Sequence, residues 1–367
     1  MITPLLTKKL SLPERGRIIC ISDVHANLAY LKGLLAKLSL RDEDTLVFVG
    51  DIMEKGPDSL ATLRYLMELD RRRRCVFVLG NCDYWYDDED HTKPCTDWYV
   101  KRYLLTNSNG LGPGLLAQMC EESGFEIRPD FDIDEFRAVL GGRYAAEFEF
   151  LGAMPQLIET EHYIFVHGGI PEGDPLFWDG WDLMKNDNFM GQGRKFGKWV
   201  IVGHWPVVLY RESITDAKPI IDRESHIISI DGGCVLKDDG QLNALIIPRN
   251  GSDDFECVWY DPFPVRRVKT AQAGSETSAY IRWGDNKVEI LERGEEFSRV
   301  RHVRTGYELD ILTKYLYGES GVVRCNDCTD YVLPLAAGDE VSVVETTSRG
   351  YLVKHDGVSG WYFGELL

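Results

Sequence analysis

Ile18-Ile19-Cys20-Ile21-Ser22-Asp23-Val24-His25-Ala26-Asn27-Leu28 is the stretch on which the reading of this chain turns. Its four leading apolar residues predict a buried strand, and a helical spacing begins at Leu28. Asp23 and His25 stand two positions apart on the turn leaving the strand's carboxyl end, the edge at which ligands bind in open α/β sheets. A carboxylate and an imidazole so spaced can share one metal ion. Alone, such a pair is a weak signal, since it arises by chance in many loops. What the rest of the chain brings to the same edge decides its meaning.

Downstream the pattern is repeated. Leu28, Leu31, Leu34, Leu35 and Leu38 fall at helical spacing. Thr45-Leu46-Val47-Phe48-Val49 reads as a second strand, ending in Gly50-Asp51. Asp58 reads as the N-cap of a helix carrying Leu60, Leu63, Leu66 and Leu69. Arg71 to Arg74 close that helix, where basic residues complement its dipole. Cys75 to Leu79 is a third strand, ending in Gly80-Asn81-Cys82-Asp83. Strands alternating with helices at this interval imply parallel βαβ units.

Residues 84 to about 150 break the alternation. The acidic, aromatic stretch Tyr84 to Asp90 precedes segments that read as helices separated by Gly-rich turns. This predicts a helical insertion after a strand-end loop, either roofing a site or forming a plain helical layer. Strands resume at Tyr163 to Val166, ending in His167-Gly168-Gly169-Ile170-Pro171, and at Trp199 to Val202, ending in Gly203-His204-Trp205-Pro206. Ile227 to Ile230, Leu242 to Ile247 and Cys257 to Tyr260 read as antiparallel strands.

Five strand ends therefore carry candidate ligands: Asp23 with His25, then Asp51, Asn81, His167 and His204. Glycine neighbours let the backbone turn sharply beside most of them. Three of the eight histidines occupy these positions. A hydrogen-bonded turn explains any one of these residues alone, but not six at successive strand ends. The pattern predicts a metal centre.

Composition bounds the partners. The chain has 367 residues, 44% apolar and 27% charged, enough for two or three soluble domains. A net charge of −18 argues against nucleic acid or an anionic membrane as partner. A phosphate ligand would need local cations, metals included. Nine scattered cysteines suit a reducing compartment. No signal-peptide core and no run near the ~20 apolar residues of a membrane span are found. The expectation is a cytoplasmic protein.

In this order, Asp-x-His, Gly-Asp-x-x-x-x-Gly, Gly-Asn-x-(Asp/Glu), His-Gly-Gly and Gly-His resemble the calcineurin-like metallophosphoesterase superfamily. Within it, His167 to Pro171 and Ile230-Asp231-Gly232-Gly233-Cys234-Val235 look like the phosphoprotein phosphatase branch, which holds bacterial Ser/Thr phosphatases and symmetrical dinucleoside tetraphosphatases. The resemblance spans about residues 16 to 248. It implies an α/β (α+β) fold, a four-layer αββα sandwich of two mixed sheets. It further implies two metal ions (Mn²⁺, Fe²⁺/Fe³⁺ or Zn²⁺). Asp23 and His25 would bind the first, Asp51 would bridge both, and Asn81, His167 and His204 would complete the second. A hydroxide bridging the two metals would attack the phosphorus.

The departures from the motifs concern the substrate side. Cys82 stands where the family's leaving-group acid is a histidine, and a thiol is a poorer acid near pH 7. Glu54 stands where that histidine's carboxylate partner would be, and Asp83 closes the Gly-Asn motif. Lys55 replaces a phosphate-binding arginine, keeping charge but losing the bidentate fork. Leu79 replaces an arginine that often precedes Gly-Asn. Pro206 takes the place of a second histidine found in other branches. Arg194, with Lys195 and Lys198, is a candidate replacement contact to phosphate, beside Asn81 and Lys55. Gly-Asn-Cys-Asp also resembles a variant of bacterial phosphodiesterase branches.

The leading expectation is a phosphomonoesterase of the Ser/Thr phosphatase type, acting on a phosphoprotein or small phosphoester. Dinucleoside polyphosphate or phosphodiester hydrolysis is the enzymatic alternative. A weakly active binding protein is the other class of reading.

The domain expectation is a catalytic domain over 1–262, a linker over 263–278 and an all-β region over 279–367. The last region contains a weak repeat, Val288 to Leu312 and Val341 to Leu366, each with two strands, a Gly-aromatic pair and a closing strand. This resembles bacterial SH3-like modules, which implies a peptide or cell-wall-type ligand. Trp361 and Tyr362 read as groove or core residues. Cys325-x-x-Cys328 lacks the second pair that a zinc site needs.

Overall fold

The computed structural model describes residues 5–84, 97–106, 112–318 and 321–367. The chain forms two compact units. The first comprises residues up to Pro206, Pro219–Leu236 and Gly240–Tyr260, and the second comprises Val207–Lys218, Lys237–Asp239 and Asp261–Leu367.

In chain order the first unit begins with β1 (Thr7–Lys9), β2 (Ile18–Ile21), α1 (Leu28–Leu38), β3 (Thr45–Val49), α2 (Ser59–Arg72) and β4 (Arg74–Val78). Helices α3 (Asp97–Thr106), α4 (Leu115–Ser123), α5 (Ile133–Arg143) and α6 (Ala145–Gly152) follow. Then come β5 (Leu157–Glu159), β6 (Tyr163–Val166), α7 (Gly180–Met184) and β7 (Trp199–Val202). After β8 (Thr215–Asp216), which belongs to the second unit, it ends with β9 (Ile220–Asp222), β10 (Ile227–Ser229), β11 (Leu242–Ile247) and β12 (Glu256–Tyr260).

Two mixed sheets result, ordered β1-β5-β6-β7-β10-β9 and β12-β11-β2-β3-β4. Side chains alternate across each strand, and both faces are apolar, so both are covered. Ile19, Ile21, Leu46 and Phe48 pack against the helices, with Leu31 and Leu34 of α1 and Leu63 and Leu66 of α2. Ile18, Cys20, Val47 and Val49 face Phe165, Ile201 and Ile228 of the other sheet. The outer face of that sheet, with Val166, Val200 and Val202, is closed by Leu183 and Phe189. Helices, sheet, sheet and a short outer layer give the expected sandwich.

Both predicted helices form. Leu31, Leu34, Leu35 and Leu38 are buried in α1, and Asn27 caps it by accepting from Tyr30 N. Asp58 occupies the N-cap of α2 without a side-chain cap bond. Arg71 and Arg72 pair with Glu68 at the exposed end of that helix. The expected insertion is helical over α3 to α6, while residues 85–90 of its aromatic stretch lie outside the described residues.

The antiparallel reading of Ile227 to Ile230 needs correction. β10 runs parallel to β7 and antiparallel only to β9. The chain returns through β9 before entering the sheet, and that hairpin reverses its direction. No helix among the described residues is long and apolar enough to cross a membrane.

In the second unit, β13 (Val265–Arg267), β21 (Glu340–Thr346), β22 (Tyr351–His355), β23 (Val358–Tyr362) and β8 form one sheet. Between β13 and β21 lie β14 (Tyr280–Ile281), β15 (Val288–Glu292), β16 (Phe297–His302), β17 (Glu308–Leu312), β18 (Leu316–Tyr317), β19 (Arg324–Cys325) and β20 (Cys328–Thr329). The repeat read from sequence corresponds to two antiparallel meanders, β15-β16-β17 and β21-β22-β23. Each carries an irregularity at the same place in its first strand, Ile290/Glu292 and Val343/Glu345. Within the stretch read as a linker, Val265–Arg267 pairs with β21 and Gln272 bridges to Leu335. Trp361 and Tyr362 are buried, with Trp361 Nε1 donating to Thr329 O at 2.8 Å. The buried Cys325 and Cys328 thiols lie 3.8 Å apart.

Candidate metal centre

Each expected ligand leaves the carboxyl end of a strand. Adjacent parallel strands β2, β3 and β4 end in Asp23/His25, Asp51 and Asn81. Adjacent parallel strands β6 and β7 of the other sheet end in His167 and His204. Asp51 lies at the middle of the cluster. Its Oδ1 is 3.2 Å from His167 Nε2 and its Oδ2 is 3.8 Å from His25 Nε2. His25 Nε2 is also 3.7 Å from Asp23 Oδ1, and His204 N donates to Asp23 Oδ2 at 3.1 Å. The rings of His167 and His204 are 5.4 Å apart. Ligand atoms of His25, Asp51 and Cys82, and those of Asp51, His167 and His204, form two groups within 4.8 Å that share Asp51.

The backbone bends to make this possible. Asp23, His25, Asp51 and His204 all have left-handed φ, at 55°, 46°, 50° and 64°. Asp and His tolerate this region better than other L-residues, yet it still costs roughly 1–3 kcal/mol per residue. Such strain persists where surrounding structure enforces it, commonly at sites that bind or react. Gly80 shows how tight the packing is, since a Cβ there would sit 2.2 Å from both Asp51 N and Asp51 Oδ1.

Electrostatics separate the groups. Burial opposes ionisation of Asp51, but His167, His25 and the Cys82 N–H hold its carboxyl below the usual range. Burial, helped by the charge of Asp231, pushes Asp23 up. Burial lowers His25 to about 4 and His204 to about 4. His167 resists its own burial and rises to about 10 because Asp51 and Asp23 face it. Negative charge is thus concentrated on Asp51, where a bound cation would find it.

Several buried atoms of the expected ligands, among them Asp23 Oδ1, His25 Nε2 and Asn81 Oδ1, make no hydrogen bond. Orphaned buried polar atoms are costly, and here they belong to the residues expected to bind metal. An O/N donor set built around one shared carboxylate suits two borderline or hard divalent ions. The residues present fit such a centre.

The remaining expected residues divide. Cys82 is in the cluster, donating its N–H to Asp51 Oδ1 at 2.8 Å, with its Sγ receiving Asn81 Nδ2 at 3.4 Å. Burial and the charge of Asp51 push its thiol far up. Asp83 is buried and accepts from Gly80 N, Ile52 N and Met53 N, so it stitches the Asn81 loop to the Asp51 loop. Burial, reinforced by Asp51, raises it to about 7. Glu54 accepts from Tyr103 Oη at 2.6 Å and Leu115 N at 2.8 Å, tying the loop after β3 to α3 and α4. The charge of Lys55 disfavours protonation of His25. Arg194 donates to Ile170 O and stands over the rings of Phe189 and Phe196.

Sequence reasoning passed over Asp187 and Lys185. Asp187 Oδ1 is 2.7 Å from His204 Nε2, and Lys185 Nζ is 3.1 Å from the same oxygen. Both follow α7 in irregular chain, where no periodicity marks them. Tyr103 was missed for a similar reason: its partner Glu54 lies 49 residues away. Asp231 appeared in a motif, but its proximity to Asp23 has no local signal.

A two-sheet sandwich with a shared-carboxylate cluster at its strand ends defines the class of two-metal phosphoesterases. The chain belongs to the calcineurin-like phosphoesterase family, whose family model matches residues 16–222. Among curated relatives, the symmetrical bis(5'-nucleosyl)-tetraphosphatase of Pectobacterium carotovorum subsp. carotovorum (strain PC1) is 47% identical over 64 residues, 17% of this chain and 22% of that protein. Its counterpart in Janthinobacterium sp. (strain Marseille) is 45% identical over 151 residues, 41% of this chain and 42% of that protein. The chain thus spans less than half the length of these relatives. A solved structure described as a putative diadenosine tetraphosphatase aligns with a TM-score of 0.43 and 20% identity, covering 71% of this chain and 100% of that one.

Proposed function

We propose that this metal-dependent phosphoesterase hydrolyses phosphoanhydrides of the dinucleoside polyphosphate kind, with residues 1–262 as its catalytic domain. The observation that carries this reading is Cys82, in the place of the leaving-group acid and in contact with Asp51 through its backbone. An ordinary thiol titrates near 8.5, so it is a weak proton source at neutral pH. A departing serine alkoxide is a strong base that needs that proton. A departing nucleotide phosphate, with its second pKa of about 6, does not. The tetraphosphatase relatives support the same substrate class.

When bound, two metal ions lower the pKa of an attacking water and neutralise phosphoryl charge. In this reading Asp51 would serve both ions, Asp23 and His25 would hold one, and Asn81, His167 and His204 would hold the other. Lys55 contributes positive charge toward the incoming phosphate without a bidentate fork. Glu54 and Asp83 act by fixing the two loops that present Asp51 and Asn81. A second reading, phosphomonoester hydrolysis of the Ser/Thr type, is compatible with the His167-Gly168-Gly169 and Asp231-Gly232-Gly233 motifs, which resemble a branch that holds both activities. We read the two meanders as SH3-like modules that recruit a partner. Trp361 and Tyr362 are buried, so other side chains would form the contact surface.

The test is a parallel assay with Mn²⁺ of diadenosine tetraphosphate, a phosphopeptide, p-nitrophenyl phosphate and its bis ester. Fastest turnover of the tetraphosphate supports the proposal. Faster turnover of the phosphopeptide transfers the assignment to the second reading.

A further inference from the structure

We propose that Asp187 is the positioning residue for His204, fixing the imidazole so that Nδ1 is the ring nitrogen presented to the metal centre. This rests on the reading of His204 as a metal ligand.

The contact assigns the tautomer. Asp187 Oδ1 stands 2.7 Å from His204 Nε2. An ionised carboxylate only accepts, so at this distance the ring proton is on Nε2. A neutral imidazole protonated at Nε2 has its lone pair on Nδ1. Lys185 Nζ lies farther from that nitrogen, at 3.5 Å; as a donor it would need the lone pair of Nε2, and the shorter Asp187 contact decides against that. The role of Lys185 is to hold Asp187, at 3.1 Å. The three side chains form a relay of cation, carboxylate and imidazole. Metal-binding histidines characteristically give their second N–H to such a carboxylate, which fixes ring orientation and raises ligand basicity.

A second, independent observation places this loop. Gly168 N and Gly169 N both donate to Leu183 O, at 2.8 and 3.3 Å. A Cβ on Gly168 would fall 2.6 Å from Asn186 N and 2.8 Å from Met184 O. The residue after His167 must therefore be glycine for the segment 183–187 to lie where it does. Asn186 Oδ1 further accepts from Gln192 Nε2 at 2.7 Å. The backbone that carries His167 thus also carries, through Leu183 and Asn186, the acceptor that orients His204. Both histidines of one metal side are referred to a single loop.

The experiment titrates the metal-free full chain with Mn²⁺ by calorimetry, with metal content measured after desalting. The variants are Asp187→Ala, Asp187→Ser, Asp187→Asn and His204→Ala. Asp187 is about half exposed, so folding should survive, and melting of each metal-free variant checks this. Loss of the orienting carboxylate should weaken one of the two Mn²⁺ equivalents about 10- to 100-fold while leaving the other unchanged. Asp187→Ala and Asp187→Ser should behave alike. Asp187→Asn, whose amide oxygen still accepts from Nε2–H, should recover most of the loss. Should Asp187→Ala and Asp187→Ser bind both equivalents as the wild type does, while His204→Ala loses one, the role given to Asp187 is overturned and the metal reading stands. If His204→Ala also keeps both, the ligand reading of His204 fails, and this inference with it.

Discussion

The backbone N–H of Cys82 donates to Oδ1 of Asp51 at 2.8 Å, joining the loop after β4 to the carboxylate on which both halves of the metal cluster converge. The bond uses the main chain, so whichever side chain stands at position 82 is held beside Asp51. Changing that side chain therefore tests proton donation while the backbone bond to Asp51 stays in place.

Cys82→His should raise turnover of a phosphomonoester with a poor leaving group by about 10²-fold or more and add an alkaline limb to its pH–rate profile, as a general acid does. Turnover of diadenosine tetraphosphate should change little. Equal effects on both substrates would show that position 82 acts on something other than the leaving group.

Asp51→Asn keeps an oxygen for the Cys82 N–H but removes the shared negative charge. Activity should fall by more than about 100-fold, since even outer partners of metal ligands are worth 10- to 100-fold. Metal analysis should show fewer than two Mn²⁺ per chain. Unchanged metal content with unchanged turnover would remove Asp51 from the centre.

Tyr103→Phe leaves one oxygen of the buried Glu54 without its donor. The expected cost is about 1–3 kcal/mol in urea denaturation. Leu115 N still donates to the other oxygen, so the metal content should be preserved.

Asp44 offers a pH test away from the site. Burial works against its carboxylate, but the Arg17 guanidinium and two backbone N–H groups hold it below its usual pKa. A carboxyl lowered on folding contributes stability above its unfolded pKa, near 3.9, and that contribution fades as pH falls through the folded value. Asp44→Asn should therefore be less stable than the wild type at pH 7, by about 1–3 kcal/mol. The gap should narrow as the pH is lowered below 4. A constant gap would assign the loss to packing.

The six candidate ligands were legible because each stands where an apolar strand stops, and hydrophobic runs are the strongest signal that a sequence carries. The layering was legible for the same reason: Ile18 and Cys20 face one way, Ile19 and Ile21 the other, and all four are apolar. What escaped lacks periodicity. β9 is three residues long, and its pairing with β10 reverses an orientation that composition cannot encode. β13 sits among prolines and polar residues yet pairs along β21, since an exposed edge accepts any chain that offers amides in register. Asp187 and Lys185 reach His204 only because α7 docks on the glycines after His167. The partners of Arg194, a carbonyl and two aromatic faces, likewise have no signal in its charge or its place in the sequence.

The left-handed turns at Asp23, His25, Asp51 and His204 also constrain how the chain can diverge. A lineage that abandoned catalysis would be released from keeping carboxylates and imidazoles there, but not from the handedness of the backbone. Asparagine and glycine are the replacements that tolerate it, whereas valine or isoleucine would clash with their own carbonyls. Inactive descendants should therefore be recognisable by Asn or Gly at these four positions, with the sandwich beneath them unaltered.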